Sequence, residues 1–449
     1  METGPHGMAA PRWRRFFNLP SEAKAIASNS SWLFGDKILR LAIGAPISFW
    51  MARHLGPASF GELNYALAFT AIFGAIAAAG LDGIVIRELV RRPAFASVTL
   101  STALALKAAT GVIAFAACVT TAYLVDGAGS RELILVSIIG AGLLFQMFDV
   151  LDYWFQSQVK SSISVRARMI AFASCSCARI VLILNQGSLV DFAVVAFVEI
   201  ALGAACLSIG YRRSPHSPSG TAPRAGVALN LLKDGWPLLL SGVAVMLYMR
   251  IDMVMLEKMT GSHAVGIYAA ATKVSEIWYV LPMAIASSVL PSLLRRRATD
   301  PASYLHSLRR FYFLLAWLAL TIAIPLSLCA DWVVLLLYGT DFRAAGPVLA
   351  IHLWASYAVF LGVGSSQYLL AENLQVYSLY RTLFGLATNV ILNLALIPPF
   401  GVLGAAIATV VSYFVSVFSL VFFPSTRAHA MLMLVAPFHN PRSLLQNTR

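Results

Sequence analysis

Two charged side chains of opposite sign lie inside an otherwise apolar stretch of the sequence. Arg250 and Asp252 fall in the run YMRIDMVMLEKMTG, which continues an apolar segment that begins at Trp236. Positions two apart on a helix are separated by about 200° around its axis, so each charge needs its own partner or water. A guanidinium group is suited to bidentate contact with phosphate oxygens. We therefore predict that Arg250 faces a hydrated cavity and that Asp252 contacts another helix.

The composition indicates what surrounds these charges. Of the 449 residues, 59% are hydrophobic and 12% are charged, whereas a soluble protein has about 25% charged residues. We therefore predict that a lipid bilayer surrounds most of the chain. The net charge of +13 does not indicate a nucleic-acid partner, because zinc-finger, RNP and bZIP patterns are absent and cytoplasmic loops of membrane proteins are often basic.

Twelve apolar runs are long enough to cross a bilayer as helices, which takes about 20 residues each. The runs are residues 36–54, 63–81, 97–124, 133–154, 166–184, 191–210, 236–256, 265–289, 311–330, 345–369, 377–397 and 402–423. They predict an all-α integral membrane protein with twelve transmembrane helices. The predicted organisation is an N-terminal tail over 1–30, helices 1–6 over 31–210, a linker over 211–233, helices 7–12 over 234–425 and a C-terminal tail over 426–449.

Lysine and arginine residues alternate between the two sides of this predicted bundle. The segments on the side of the N-terminus hold nearly all of them, including clusters such as the three consecutive arginines that begin at Arg295. Basic residues concentrate in cytoplasmic loops, so this alternation predicts an even number of spans and places both termini in the cytoplasm. The loops on the opposite side hold only Arg53, Arg131, Lys258 and Arg343.

Several other charges lie within or at the ends of apolar runs. A charge at the bilayer centre costs about 2.5 to 3.5 kcal/mol, so such side chains usually face a partner or a wet cavity. We expect the cations to contact an anionic substrate and the acids to have structural or ion-coupling roles. The substrate-binding candidates are Arg250, Lys107, Arg179, Lys273, Arg40 and Lys37. The structural or coupling candidates are Asp252, Glu276, Asp36, Asp149, Asp152 and Glu199.

These charges also have ordinary structural explanations. Lys37 and Arg40 could extend to the membrane interface. Lys273 and Glu276, three positions apart, could form an ion pair with structural value only. Asp252 could neutralise Lys273 or the arginine of its own run across the hairpin of helices 7 and 8, and this is the explanation that we favour for Asp252.

The sequence contains a weak internal repeat. RHLGPASFG, which begins at Arg53, aligns with KMTGSHAVG, which begins at Lys258, and the glycines of the two stretches coincide. WFQSQVKSSISVRAR aligns with LLAENLQVYSLYRT, with Arg166 against Arg381. Because each half has an even number of predicted spans, the copies enter the membrane in the same direction. The repeat predicts two pseudo-symmetric six-helix lobes around a central cleft, as in an alternating-access transporter.

Four stretches also resemble a known family. WLFGDKILRLAIGAPISFWMARHLGPASFGELNYALAFTAIF and GLDGIVIRELVRR resemble the start of bacterial polysaccharide-biosynthesis flippases of the Wzx type. MRIDMVMLEKMTGSHAVGIYAAATKVSE and LNLALIPPFGVLGAAIATVVSYF resemble the seventh-span and last-span signatures of that family. The resemblance covers nearly the whole chain. It implies a V-shaped cleft between the lobes and membership of the superfamily of multidrug, oligosaccharidyl-lipid and polysaccharide exporters.

The resemblance implies a substrate and a location. The substrate would be a polyprenyl-diphosphate-linked oligosaccharide, moved from the cytoplasmic to the outer leaflet of a bacterial inner membrane for surface polysaccharide assembly. Membrane lipids, a polysaccharide polymerase and export machinery would be partners. A membrane potential that is negative inside would assist outward movement of negative charge by about 2.3 kcal/mol per charge per 100 mV. Coupling to protons or sodium through Asp36, Asp149, Asp152 or Glu199 stays open.

Motifs for other functions are absent from the sequence. No GxxxxGK[ST], HExxH or GxSxG pattern and no histidine cluster with metal-ligand spacing occurs, so we expect no cofactor, metal site or catalytic residue. A cation-coupled multidrug extruder is an alternative, although cationic drugs call for an acidic cavity. A membrane-embedded polymerase or ligase would need a larger outward loop. A scaffold of a polysaccharide assembly complex would leave the internal charges unexplained.

Overall fold

The computed structural model describes residues 21–215, 217–218, 220–435 and 438, and in these residues all regular structure is helical. Residues 1–20 and 439–449 lie outside the described residues, and with them most of the predicted N-terminal tail and the end of the predicted C-terminal tail. The α-helices are α1 Ser21–Ala78, α2 Asp82–Arg91, α3 Ala96–Asp126, α4 Arg131–Gly140, α5 Asp149–Ser157, α6 Ser161–Leu184, α7 Leu189–Arg212, α8 Ala225–Thr260, α9 Ser262–Glu276, α10 Val280–Thr299, α11 Pro301–Leu328, α12 Ala330–Tyr338, α13 Ala345–His352, α14 Ala355–Ala371, α15 Val376–Phe418 and α16 Pro424–Val435.

Ten helical segments among the described residues are long and apolar enough to cross a membrane. This confirms the prediction of an all-helical, multi-pass membrane protein. Two of the ten segments, Gly35–Arg91 and Val376–Phe422, each contain two of the predicted runs. Helix α1 has a non-helical backbone at Gly56, with φ 71° and ψ 171°, and α15 has one at Gly401, with φ 55° and ψ −128°. Glycine suits these positions because it adopts positive φ at little cost.

The N-terminal half, residues 21–212, and the C-terminal half, residues 225–435, approach each other closely at one reciprocal contact. A Cβ atom placed on Gly61 would lie 1.8 Å from the carbonyl oxygen of Ser262, and one placed on Gly266 would lie 1.9 Å from that of Pro57. These four residues occupy equivalent positions in the two stretches that the repeat aligns. Only glycine allows the two backbones to come so close, and the contact has the symmetry of the repeat.

The basic residues that begin these two stretches also reach across to the other half. Arg53 donates hydrogen bonds to the carbonyl oxygens of Leu336, at 2.5 Å, and Leu337, at 3.0 Å. Lys258 forms an ion pair with Asp126, and its ammonium group lies 5.4 Å from the ring centre of Tyr65. The two halves are therefore joined by a matched pair of polar contacts beside the glycine contact.

Apolar packing extends this junction. The ring of Phe60, from the N-terminal half, lies 6.5 Å from that of Tyr338 and 5.9 Å from that of Phe342, both in the C-terminal half. All three side chains are almost fully buried in a core cluster that contains residues of both halves. A second cluster lies within the C-terminal half, and a third joins residues of the N-terminal half to Leu231 on α8. Burial of large aromatic rings is a major favourable term in packing, so the shared cluster holds the halves together at this end.

Candidate functional site

A cavity of about 180 Å³ lies in the N-terminal half, and Lys273 of the C-terminal half reaches its wall. Its polar side chains are Arg179 and Ser176 on α6, Ser48 on α1 and Lys273 on α9. The remaining wall is apolar and includes Phe192. The structure therefore places two of the predicted substrate-binding cations, one from each half, on the same cavity.

Lys273 enters this cavity with a hydroxyl partner in place of a carboxylate. Its ammonium group donates a hydrogen bond of 2.9 Å to Ser48 and lies 4.6 Å from the ring centre of Phe60. Among the residues that the structure describes, no carboxylate lies within salt-bridge distance of this ammonium group. The positive charge of Lys273 also interacts electrostatically with Arg250 and Arg179, which are of the same sign, and with Glu276, which is of the opposite sign. An anion in the cavity would relieve this repulsion.

Glu276 pairs with a different residue from the one that its spacing suggests. Its carboxylate lies 3.9 Å from the guanidinium of Arg250, on the preceding helix. The structure shows no ion pair between Glu276 and Lys273, so the local pair that the i,i+3 spacing predicts is wrong. Arg250 and Glu276 are each about a quarter to a third exposed. Arg250 thus lies near the cavity cations but shares its charge with a carboxylate.

A chain of charges leads from the cavity to the first helix. Arg179 donates to Glu199 at 2.7 Å, and the other oxygen of Glu199 lies 3.5 Å from Arg40. Arg40 also donates to Asp36 at 2.9 Å and lies 5.0 Å from the ring centre of Phe172. The two acids therefore compensate the two arginines. Lys273 is the cation of the cavity that forms no salt bridge among the described residues.

The remaining predicted cations lie elsewhere. Lys107 is only 1% exposed and is not a wall residue of the cavity, because it donates to Tyr153 at 2.9 Å and lies 3.3 Å from Asp149. Lys37 is exposed on α1. Asp152 is buried and pairs with Arg168 at 2.7 Å. The structure does not bring Lys107 or Lys37 together with Arg179 and Lys273.

Asp252 is a buried hydrogen-bond acceptor that connects three helices. It accepts hydrogen bonds from Tyr268 on α9 and from Thr409 on α15, the latter at 3.3 Å, and from the backbone N–H of Met253. The contact with other helices that we predict from the sequence is present. The ion pair with Arg250 or Lys273 is absent in the described residues, because hydroxyl donors occupy this carboxylate.

Two residues beside Lys273 have no signal in the sequence. Ser48 and Phe60 lie in ordinary apolar runs, and nothing in their spacing predicts contact with a lysine more than 200 residues later. Their role depends on how the two halves meet. The glycine spacing of the aligned stretches predicts the repeat, although it does not predict that the stretches contact each other.

A family model described as polysaccharide biosynthesis protein matches residues 26–296. The chain belongs to this family. A relative within reach of sequence comparison is the probable flippase AglR of Haloferax volcanii, 32% identical over 205 residues. That alignment covers 43% of this chain and 41% of the relative, so the chain matches less than half of the length of AglR.

This member of the polysaccharide biosynthesis family is also similar in fold to solved structures, over nearly its whole length. An inward-facing multidrug resistance MATE transporter of the MOP superfamily gives a TM-score of 0.72 at 15% identity, over 88% of this chain and 95% of that one. The lipid II flippase MurJ, in an inward closed conformation, gives 0.69 at 14% identity, over 94% and 92%. A MOP superfamily transporter from Pyrococcus furiosus gives 0.62 at 15% identity, over 92% and 96%. The chain has the MOP superfamily fold.

Proposed function

We propose that this protein is a flippase that moves a polyprenyl-diphosphate-linked oligosaccharide from the cytoplasmic to the outer leaflet of a bacterial inner membrane. Membership of the polysaccharide biosynthesis family supports the substrate class, and the similarity to a probable flippase supports transport. The fold shared with MATE and MurJ supports a transporter over an enzyme. We place both termini in the cytoplasm because of the distribution of lysine and arginine.

We also propose twelve passes in two lobes. Gly56 and Gly401 break the helical backbone within two of the ten membrane-capable segments, and each break lies between two of the predicted runs. Dividing these segments gives six passes in each half. Two lobes of six helices are consistent with the reciprocal contact of Gly61 and Gly266, which follows the repeat.

The observation that carries the proposed substrate is the environment of Lys273. This cation of the C-terminal half reaches a cavity of the N-terminal half, beside Arg179, with a serine as its hydrogen-bond partner. Charge-assisted hydrogen bonds to phosphate are roughly twice as strong as neutral ones, and a diphosphate group would supply the missing counter-charge. The apolar polyprenyl chain would stay in the bilayer, where it avoids contact with water.

In this mechanism the lobes rock around the bound headgroup. The Gly61 and Gly266 contact, with the contacts of Arg53 and Lys258, holds the halves together at one end. Separation at this end would release the headgroup on the other side of the membrane. Alternating access by movement of one repeat against the other is the usual mechanism of transporters with internal repeats.

The acids proposed for ion coupling already have cationic partners. Asp36 and Glu199 pair with Arg40 and Arg179, and Asp149 pairs with Lys107. Asp152, the fourth candidate, pairs with an arginine as well. Paired carboxylates are poor sites for an exchangeable proton or sodium ion, since the charge is already satisfied. We therefore favour the membrane potential as the driving force.

Collapse of the potential, with pH and sodium gradients retained, should slow flipping in proteoliposomes, and an unchanged rate would contradict this driving force.

A flipping assay tests the proposed function. Purified protein in proteoliposomes should expose a fluorescent undecaprenyl-diphosphate-linked sugar to a membrane-impermeant quencher without changing it chemically. The Lys273→Gln variant should flip this probe at least about tenfold more slowly, which corresponds to about 1.4 kcal/mol. Lys273→Arg should keep most of the activity, and Lys37→Gln is the control for loss of a cation outside the cavity. Chemical turnover of the probe without flipping would identify an enzyme and reject the proposal.

A further inference from the structure

A second cavity, of about 270 Å³, lies within the C-terminal half, apart from the cavity of Lys273. Helices α8, α14 and α15 supply most of its wall, which is largely apolar and contains the aromatic rings of Tyr248, Tyr279 and Tyr413. Met283, at the same cavity, is 48% exposed, so the cavity is open at this edge. Its shape and lining suit an apolar group that enters from the membrane.

One cation, Arg381, lies on this apolar cavity. Its guanidinium donates to the carbonyl oxygen of Gly362 at 3.2 Å and to the hydroxyl of Ser366 at 2.7 Å. No carboxylate lies within salt-bridge distance of Arg381 in the described part of the chain, and the groups that interact with its charge are Tyr312 and Tyr248. Guanidinium has five N–H donors. The two described hydrogen bonds leave donors and a full positive charge for an anion.

The repeat provides a comparison for Arg381. Its counterpart in the N-terminal half, Arg166, is exposed and donates to the carbonyl oxygen of Ser162 one turn earlier on the same helix. An arginine that only marks the membrane interface needs no more than this arrangement. Arg381 instead turns toward the interior of its half and contacts a neighbouring helix. The difference indicates a role beyond orientation of the chain in the membrane.

We propose that the cavity of Arg381 binds a single-chain lipid phosphate, with the phosphate on Arg381 and the hydrocarbon chain on the aromatic and aliphatic wall. Charge complementarity selects an anion, because the cavity contains one cation and no acid among its lining residues. The apolar wall selects a hydrocarbon chain, which inorganic phosphate lacks. A cationic drug would meet the positive charge of Arg381. A cavity of about 270 Å³ has room for one hydrocarbon chain rather than for the two chains of a phospholipid.

This site is separate from the site of the transported headgroup. The cavity of Lys273 contains residues of both halves, whereas the cavity of Arg381 lies in the C-terminal half alone. The proposal therefore does not depend on the proposed function. A carrier lipid phosphate that has lost its sugar has the chemistry that this second cavity would bind.

A titration with farnesyl phosphate tests the proposal. The purified full-length protein in a neutral detergent should bind farnesyl phosphate at least about tenfold more tightly than farnesol or inorganic phosphate. The Arg381→Gln variant should lose that advantage, so that farnesyl phosphate binds no better than farnesol. The Arg166→Gln variant, at the repeat-equivalent exposed position, should bind as the wild type does. Equal affinity of the wild type and Arg381→Gln for farnesyl phosphate would overturn the proposal.

A second variant tests the cavity independently of the charge. Val363→Trp fills the cavity and keeps Arg381, and it should weaken binding of both farnesyl phosphate and farnesol. Unchanged binding by this variant would overturn the assigned location. Competition by dioleoyl phosphatidylglycerol as strong as that by farnesyl phosphate would identify a general phospholipid site and overturn the single-chain assignment. A flipping defect of Lys273→Gln alongside normal farnesyl phosphate binding by Arg381→Gln would reject this site and leave the proposed function intact.

Discussion

The N-terminal and C-terminal halves share a fold and a repeat, yet they satisfy their internal cations differently. In the N-terminal half, Lys107, Arg168 and Arg179 each lie within salt-bridge distance of a carboxylate. In the C-terminal half, Arg250 lies 3.9 Å from Glu276, whereas Lys273 and Arg381 have hydroxyl or carbonyl partners instead. A paired charge already has its counter-ion, whereas a charge without one is available to a ligand. The comparison suggests that the cations with carboxylate partners serve structure, and that Lys273 and Arg381 of the C-terminal half are available for binding.

Disruption of the reciprocal contact of Gly61 and Gly266, to which both halves contribute equivalent residues, should give the largest effect. Gly61→Leu and Gly266→Leu each place a side chain where even a Cβ atom lies under 2 Å from a carbonyl oxygen of the other half. Overpacking an ordinary core costs about 1 to 3 kcal/mol, and this overlap is more severe. Both variants should abolish flipping to similar extents. Gly83→Leu is the control, since a Cβ atom on Gly83 would have no neighbour within 4 Å. Wild-type flipping by Gly61→Leu or by Gly266→Leu would show that transport does not require this contact between the halves.

The two lysines within the apolar helices, Lys107 and Lys273, should separate stability from transport. Lys107→Met leaves the buried Tyr153 without its donor and the half-exposed Asp149 without its cation, so it should lower the free energy of unfolding by about 1 to 3 kcal/mol. Lys273→Met removes no carboxylate's partner and should change stability by less than about 1 kcal/mol, because only a hydrogen bond to Ser48 is lost. Thermal unfolding in detergent measures both. Equal destabilisation by the two variants would remove the distinction between the halves.

Removal of the polar contacts of Lys258 and Arg53, beside the glycine contact, should give smaller and unequal effects. Lys258→Ala leaves the carboxylate of Asp126, which is 1% exposed, without its cation. Arg53→Ala removes the guanidinium that donates to the carbonyl oxygens of Leu336 and Leu337, which are neutral acceptors. We expect Lys258→Ala to lower the apparent melting temperature by a few degrees and Arg53→Ala by less, since stranded charges cost more than stranded neutral groups. Arg343→Ala is the control. A larger effect of Arg53→Ala would contradict this ranking.

The fold follows from sequence patterns that are local in the chain. Apolar runs of about 20 residues identify the membrane segments, and the glycines of the two aligned stretches identify the repeat. The spacing of the charges is less informative, because a partner is chosen by the rotation and packing of neighbouring helices. Lys273 and Glu276 have suitable spacing for a pair, but Glu276 contacts Arg250 instead. Local spacing cannot show which face of a helix meets another helix.

Two further residues show the same limit. Lys107 lies in the middle of an apolar run, which suggests a wet cavity, but a carboxylate and a phenol from residues 149–153 enclose it. Arg381 lies near the end of a run, which suggests a membrane-interface position, but its side chain turns toward α14. In both cases the sequence predicts where the residue lies along its apolar run, but it does not predict the direction in which the side chain points.

The most direct test of the account is the affinity of Lys273 variants for the transported headgroup. Binding of undecaprenyl-diphosphate-linked sugar to the purified protein should weaken at least about tenfold in Lys273→Gln. The same affinity measurement should show little change for Lys37→Gln, which removes an exposed cation. Unaltered binding by Lys273→Gln, at wild-type stability, would contradict the claim that this lysine is the cation that receives the diphosphate.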